Sequence, residues 1–292
     1  MVTPRGVAPD RRSLARRGHP GVALRLGGRR IRRYSPAVPA RPRDDLLDHP
    51  LIAERYFFPR RDLPRSRLDV EAGDAVLACA LHRADPEGHA VVHFHGNGEV
   101  VADWQEGFEA AVMGMGWDLL LAEYRGYGGS TGEPRLGRML GDVEAIMRMA
   151  GPPGRLVVFG RSVGSLFALE AVARFPDVAG LILESAIADP LERLLLRLRP
   201  RELGVSGAEF EAAMAARLDQ RAKIAAYPGP VLLLHTRRDG LVDLDHAERL
   251  ARWAGGPARL RVFEEGDHNS ILAANAGAYL GEVAAFLSEV RR

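Results

Sequence analysis

The chain has almost no cysteine. Cys79 stands alone, so no internal disulfide can form, and no Cys/His spacing resembles a zinc site. Cys79 falls in a strand-like segment and reads as a small buried hydrophobe. Lysine is equally scarce: Lys223 is the only one, which points to codon bias rather than to function. No stretch is long and apolar enough to cross a bilayer. A secretory signal is also missing, because Arg25 and the run Gly27 to Arg33 interrupt Val22-Ala23-Leu24. A cytoplasmic location is the resulting expectation.

Acid is nearly absent from one region. Residues 1–43 hold twelve arginines against the single acid Asp10, while the whole chain has a net charge of only +2, so the remainder carries about −9. An arginine-rich, proline-bearing stretch with few aromatics buries too little apolar surface to offset its ordering entropy, so residues 1–45 are expected to be a disordered arm. Two readings of it stand side by side. It is a solvated tail, or the product of a start placed too far upstream of the true one; alternatively it makes an electrostatic contact with nucleic acid or anionic lipid. Residues 46–292, with the chain's 47% hydrophobic content, are enough for a large α/β domain.

What is present after the arm is alternation. His49 to Pro59 reads as a leading segment packed across the core, with Pro59 and Pro64 breaking any helix. Leu68 to Ala72 and Ala75 to Leu81 read as antiparallel strands turned at Gly73-Asp74. Ala90 to Phe94, Asp118 to Tyr124, Leu156 to Phe159, Gly180 to Leu183, Val231 to Leu234 and Leu260 to Phe263 follow as short buried strands. Helical patterns run from about Val101 to Met115, Leu136 to Met149, Leu166 to Ala173, Leu244 to Trp253 and Ile271 to Val290. Such alternation implies a mostly parallel sheet covered on both faces, with its working loops at the carboxyl ends of the strands.

Gly160-Arg161-Ser162-Val163-Gly164 sits where an apolar strand gives way to a helix. Glycines two positions either side of a serine allow the sharp turn that projects its hydroxyl, which makes Ser162 a candidate nucleophile. A serine hydroxyl needs a base, and the base needs an acid to fix its tautomer. Of the nine histidines, His268 follows the last strand on a loop able to reach the turn. His93 and His95 flank the end of the third strand, His235 closes a buried strand and His246 belongs to a helix. Asp239, four residues past the end of its strand, is the expected acid; Asp243 and Glu184 compete for that role. Two backbone amides must also face the developing oxyanion. Val163 is expected to supply one, and Asn97, in His95-Gly96-Asn97-Gly98-Glu99, the other. Gly96 and Gly98 there serve a tight turn, a close approach to substrate, or both.

These segments resemble the α/β-hydrolase superfamily. The set His93-Phe94-His95-Gly96-Asn97-Gly98, Tyr124-Arg125-Gly126-Tyr127-Gly128-Gly129-Ser130 and Gly160-Arg161-Ser162-Val163-Gly164 is similar to its Bem46-like branch, over about residues 68 to 290. The resemblance implies an α/β-hydrolase fold: a mostly parallel eight-stranded sheet flanked by helices, with a short helical cap. It also implies a serine hydrolase acting on esters or thioesters of small-molecule or acylated substrates, with no cofactor or metal required. Asp243 departs from the related pattern, which often has proline there, so the choice of carboxylate stays open at this point.

Residues 186–227 interrupt the rhythm with helical character and are expected to form the cap or lid. Leu191, Leu194, Leu195 and Leu198 recur at helical spacing, as do Phe210, Met214 and Leu218; they form either an acyl-binding face or a helix packed on the sheet. An aminopeptidase-like amide hydrolase and a non-catalytic binding protein on the same fold are the competing functions.

Overall fold

The computed structural model describes residues 46–83, 85 and 88–291. The arginine-rich arm, and any nucleic-acid or lipid contact through it, lies outside the described residues. Eight strands form one sheet: β1 (Leu68–Ala72), β2 (Ala75–His82), β3 (Ala90–Phe94), β4 (Asp118–Ala122), β5 (Leu156–Arg161), β6 (Gly180–Glu184), β7 (Val231–Thr236) and β8 (Ala258–Phe263). Their order across the sheet is β1-β2-β4-β3-β5-β6-β7-β8. β2 runs antiparallel to β1 and β4, and every other pairing is parallel.

The continuous apolar runs follow from this arrangement. A parallel strand covered by helices on both faces favours a near-continuous apolar run, and β3, β4, β5, β6 and β7 are buried along their whole length, with their polar residues at or near the strand ends. Alternate residues feed opposite layers. Leu120 and Val158 join the core cluster built with helices Leu136–Ala150 and Gly164–Arg174, whereas Leu119, Leu121, Val157 and Phe159 join the one built with Gly107–Gly114 and Ala276–Val290. Cys79 is fully buried, and burial pushes its thiol up to about 12.

The structure corrects the expectation of a buried last strand. β8 is the sheet edge, and its Arg259 and Arg261 pair with Glu289 and Glu282 at the surface. The helix expected from Val101 to Met115 is two, Val101–Trp104 and Gly107–Gly114, parted at Gln105, whose side chain instead binds the backbone of Arg65 and Ser66. The last helix is likewise split at Asn275, whose amide donates to the carbonyls of Glu265 and Ile271. β4 ends at Ala122 rather than Tyr124 because its partner β3 ends opposite it at Phe94.

Between β6 and β7 lie helices Pro190–Leu195, Gly207–Leu218 and Gln220–Ala226, capped by the side chains of Asp189, Ser206 and Asp219. Leu194, Leu198, Phe210, Met214 and Leu218 are buried in the core, whereas Leu195 points outward at 43% exposure. No helix among the described residues is long and apolar enough to cross a membrane.

Candidate active site

Ser162 begins the turn after β5 with φ 53°, a left-handed conformation that costs a residue other than glycine about 1–3 kcal/mol. Its neighbours explain why the turn can close. A Cβ on Gly160 would sit 2.6 Å from Ala168 Cβ, and one on Gly164 would sit 2.1 Å from the carbonyl oxygen of Phe94. Only glycine at both places lets the helix Gly164–Arg174 press against β5 and against the end of β3. Ser165 Oγ then donates to Ser162 O at 2.6 Å.

His268 arrives from the loop after β8. Thr236, the last residue of β7, anchors that loop by donating from Oγ1 to Gly266 O at 2.8 Å. The Asp267 carboxylate folds the following turn by accepting from the backbone of Asn269 and Ser270. The result brings three side chains into line. Ser162 Oγ lies 2.9 Å from His268 Nε2, and His268 Nδ1 lies 2.8 Å from Asp239 Oδ2. Because Asp239 is an acceptor, Nδ1 carries the proton, leaving Nε2 to accept from the serine. All three side chains are buried.

Asp239 is also held from the other side, where Oδ1 accepts from the backbone amides of Leu241 and Val242 at 2.9 and 2.8 Å. Burial works to raise its carboxyl, yet the hydrogen bond from His268 and those from these amides overcome it and hold the group at about 2. The two rival acids lie apart from this line. Asp243 stands at the N-terminus of helix Leu244–Trp253, where its side chain makes no capping hydrogen bond, and Glu184 is paired with Arg161 and accepts from Tyr279.

Asn97 and Val163 line the same cleft as Ser162 and His268. The Asn97 side chain is taken: its amide nitrogen donates to Tyr56 O, and its oxygen accepts from Phe58 N and from the Tyr127 hydroxyl at 3.0 and 2.9 Å. That fastens the leading segment to the loop. Neither backbone amide, of Asn97 or of Val163, donates to an acceptor among the described residues.

The residue that sequence reasoning overlooked is Arg161, the variable position just before the serine. Its guanidinium donates from Nη2 to His268 O at 2.8 Å, pairs through Nε with Glu184 at 2.9 Å, and meets Glu99 through Nη1. Glu99 in turn accepts from Gly96 N at 2.8 Å. One side chain therefore ties the His268 loop to the loop carrying Asn97. A Cβ at Gly96 would collide with that guanidinium, which gives Gly96 its reason. Burial disfavours the charge on Arg161, but Glu184 and Glu99 more than restore it and raise its pKa. Burial raises the Glu184 carboxyl, against the pull of Arg161. A buried cation between two acids carries no signal in a sequence pattern; the acid in His95-Gly96-Asn97-Gly98-Glu99 was the available hint.

The cleft has a volume of about 240 Å³. Phe58, Ile187, Leu241 and Val242 give it apolar walls, and Arg193 and Arg197 from the cap complete it.

Comparison with known proteins agrees with this architecture. A family described as the alpha/beta hydrolase fold matches residues 89–205, which take in Asn97 and Ser162 and stop before Asp239 and His268. Among curated proteins, the chain is 26% identical over 202 residues to the uncharacterized protein YfhR of Escherichia coli, covering 63% of this chain and 64% of that one. It is 23% identical over 219 residues to the human alpha/beta hydrolase domain-containing protein 17B, covering 73% and 71% of the two. Among solved structures, an esterase from Pyrococcus furiosus superposes with a TM-score of 0.63 at 16% identity, over 80% of this chain and 97% of that one. An esterase from Exiguobacterium antarcticum does so with a TM-score of 0.57 at 18% identity, over 76% and 99%. The chain has the α/β-hydrolase fold.

Proposed function

We propose that this chain is a serine hydrolase that cleaves a carboxylic ester or thioester through an acyl-enzyme. The observation that carries the reading is the unbroken line from Ser162 Oγ to His268 Nε2 and from His268 Nδ1 to Asp239, with both links within hydrogen-bond reach. In this mechanism Ser162 attacks the carbonyl carbon as His268 takes its proton. Asp239 fixes the tautomer and stabilises the imidazolium. The amides of Asn97 and Val163 receive the oxyanion, at a worth of about 3 kcal/mol of barrier per donor. Collapse of the tetrahedral species expels the alcohol or thiol with the proton from His268. Water then attacks the acyl-enzyme by the same route.

Arg161 acts as a positioning residue, holding the His268 carbonyl. The esterases among the structural neighbours support hydrolysis as the reaction class. A cleft of about 240 Å³, below the roughly 300–1,000 Å³ of drug-sized sites, favours a compact substrate. The cap, residues 186–227, is the element that selects it. The test is a panel of para-nitrophenyl esters of rising acyl length, run beside Ser162→Ala. Turnover of the short members by the natural chain, reduced to the level of buffer by the substitution, is the expected result. Turnover that survives Ser162→Ala would refute the reading.

A further inference from the structure

The cap meets the cleft with charge. Helix Pro190–Leu195 continues as a turn through Leu198, with the amides of Arg197 and Leu198 donating to Leu194 O at 3.0 and 3.1 Å. Residues four apart on such a turn share a face. Leu194 and Leu198 form one pair, buried in the core, while Arg193 and Arg197 form the next and line the cleft beside Ser162 and His268. Leu194 and Leu198 of the leucine stripe thus face away from the site, and the arginines beside them face toward it.

Neither guanidinium is neutralised. Among the described residues, no acid lies within ion-pair distance of Arg193 or Arg197, although the neighbouring Glu192 pairs with Arg249 and Glu202 pairs with Arg55. Arg161, the third cation of the cleft, is consumed by Glu184 and Glu99. The contrast with a wider groove among the described residues is direct. That groove, about 1000 Å³, is lined by Arg125, Arg138 and Arg148, and each is paired, with Asp142, Asp74 and Glu144 respectively. Outside the arm the chain has an excess of acid, so two unpaired arginines at the wall of one cleft are not a consequence of overall charge.

The Arg197 guanidinium also lies 5.1 Å over the ring of Phe58, another residue of the cleft. Stacking occupies its face and leaves its edge, where the N–H donors lie, free for a ligand. Arg55 holds the backbone beneath it by donating to Arg197 O and pairing with Glu202.

We infer that Arg193 and Arg197 form a subsite for an anionic group, a carboxylate or a phosphate-like oxyanion, carried by the ester or thioester substrate. This rests on the hydrolase reading above and adds the substrate's charge to it. Charge-assisted contact from a planar donor fork recognises such groups, and about a tenfold preference follows from one good contact.

The experiment compares matched esters by kcat/KM. On the acyl side, para-nitrophenyl valerate is set against the same ester ending in a carboxylate or in a phosphonate. On the leaving-group side, carboxyphenyl acetate is set against its methyl ester. The expected result is a preference of about tenfold or more for the anionic member of at least one pair, carried by KM and weakened by salt. The pair that shows it identifies the anion and the side. Arg193→Gln with Arg197→Gln brings the ratio close to one, Arg193→Lys with Arg197→Lys keeps part of it, and Arg201→Gln, outside the cleft lining, leaves it unchanged. Hydrolysis of neutral esters without an anionic preference, or a preference that survives the double glutamine substitution, overturns the subsite alone. No hydrolysis of any ester overturns the hydrolase reading and the subsite with it.

Discussion

Among the described residues two buried imidazole–carboxylate pairs are closed at 2.8 Å: His268 Nδ1 with Asp239 Oδ2, and His95 Nε2 with Glu123 Oε1. The difference lies at the second ring nitrogen. In His268 it faces the Ser162 hydroxyl at 2.9 Å, a group that can give up a proton. In His95 it faces the Gly96 carbonyl at 2.8 Å, which only accepts. Both nitrogens of His95 therefore face acceptors, which favours the imidazolium; burial opposes that charge, but Glu123 outweighs it and raises the pKa. Glu123 also accepts from the amides of Tyr124 and Val101, so this pair clamps the loop that carries Asn97. Imidazole and carboxylate thus stand beside a hydroxyl in one place, where the proposed function gives them a proton relay, and beside backbone in the other, where they clamp a loop.

The largest effect expected is on the relay. Asp239→Asn keeps the shape but favours the wrong tautomer of His268, and ester turnover should fall on the order of 10³–10⁴-fold with folding intact, as read by kcat beside a circular dichroism melt. A fall smaller than tenfold would place the two pairs on an equal footing. For the clamp the loss should appear as stability. Glu123→Gln removes one partner of a buried pair, and denaturant unfolding should show a loss of about 3–5 kcal/mol.

The pairs should also respond to pH in opposite directions. His95 is raised in the folded state, so its contribution is complete below the usual histidine value of 6.5 and fades as pH rises through the folded-state value. Asp239 is lowered from 3.8 to about 2, so its contribution, about 2 kcal/mol, is complete above 3.8 and fades as pH falls through about 2. Unfolding midpoints across pH should accordingly show the Glu123→Gln penalty shrinking in alkali and the Asp239→Asn penalty shrinking in acid. The smallest effect belongs to the link between the two loops. Arg161→Lys keeps the charge but cannot reach Glu99, Glu184 and the His268 carbonyl together; about a tenfold loss in kcat with little change in KM is expected. A change confined to KM would point to a substrate contact instead.

The succession of strands along the chain and the three side chains that the fold aligns were legible in the sequence because each rests on local chemistry: an apolar run, a glycine-flanked serine, a loop directly after a strand. The sheet edge was less so. Leu260, Val262 and Phe263 read as buried, but burial at β8 depends on having a neighbour on its far side, which a short apolar run does not reveal. The splits at Gln105 and Asn275 depend on side-chain bonds to distant backbone. Arg161 and the clamp at Glu123 were missed for a related reason, since a buried charge is identified only by partners far away in the chain. In the cap the leucine spacing correctly marked helical structure, yet periodicity alone does not say which face meets the site; the core took Leu194 and Leu198, and the cleft took Arg193 and Arg197.

In the proposed function His268 makes the Ser162 hydroxyl reactive, while His95 activates nothing. Labelling with a fluorophosphonate, mapped by mass spectrometry, tests it directly. A single adduct on Ser162, formed by the natural chain and abolished by His268→Ala, is the expected result. A folded chain that takes no label, or one labelled at Ser162 as fast after His268→Ala as before, would contradict it.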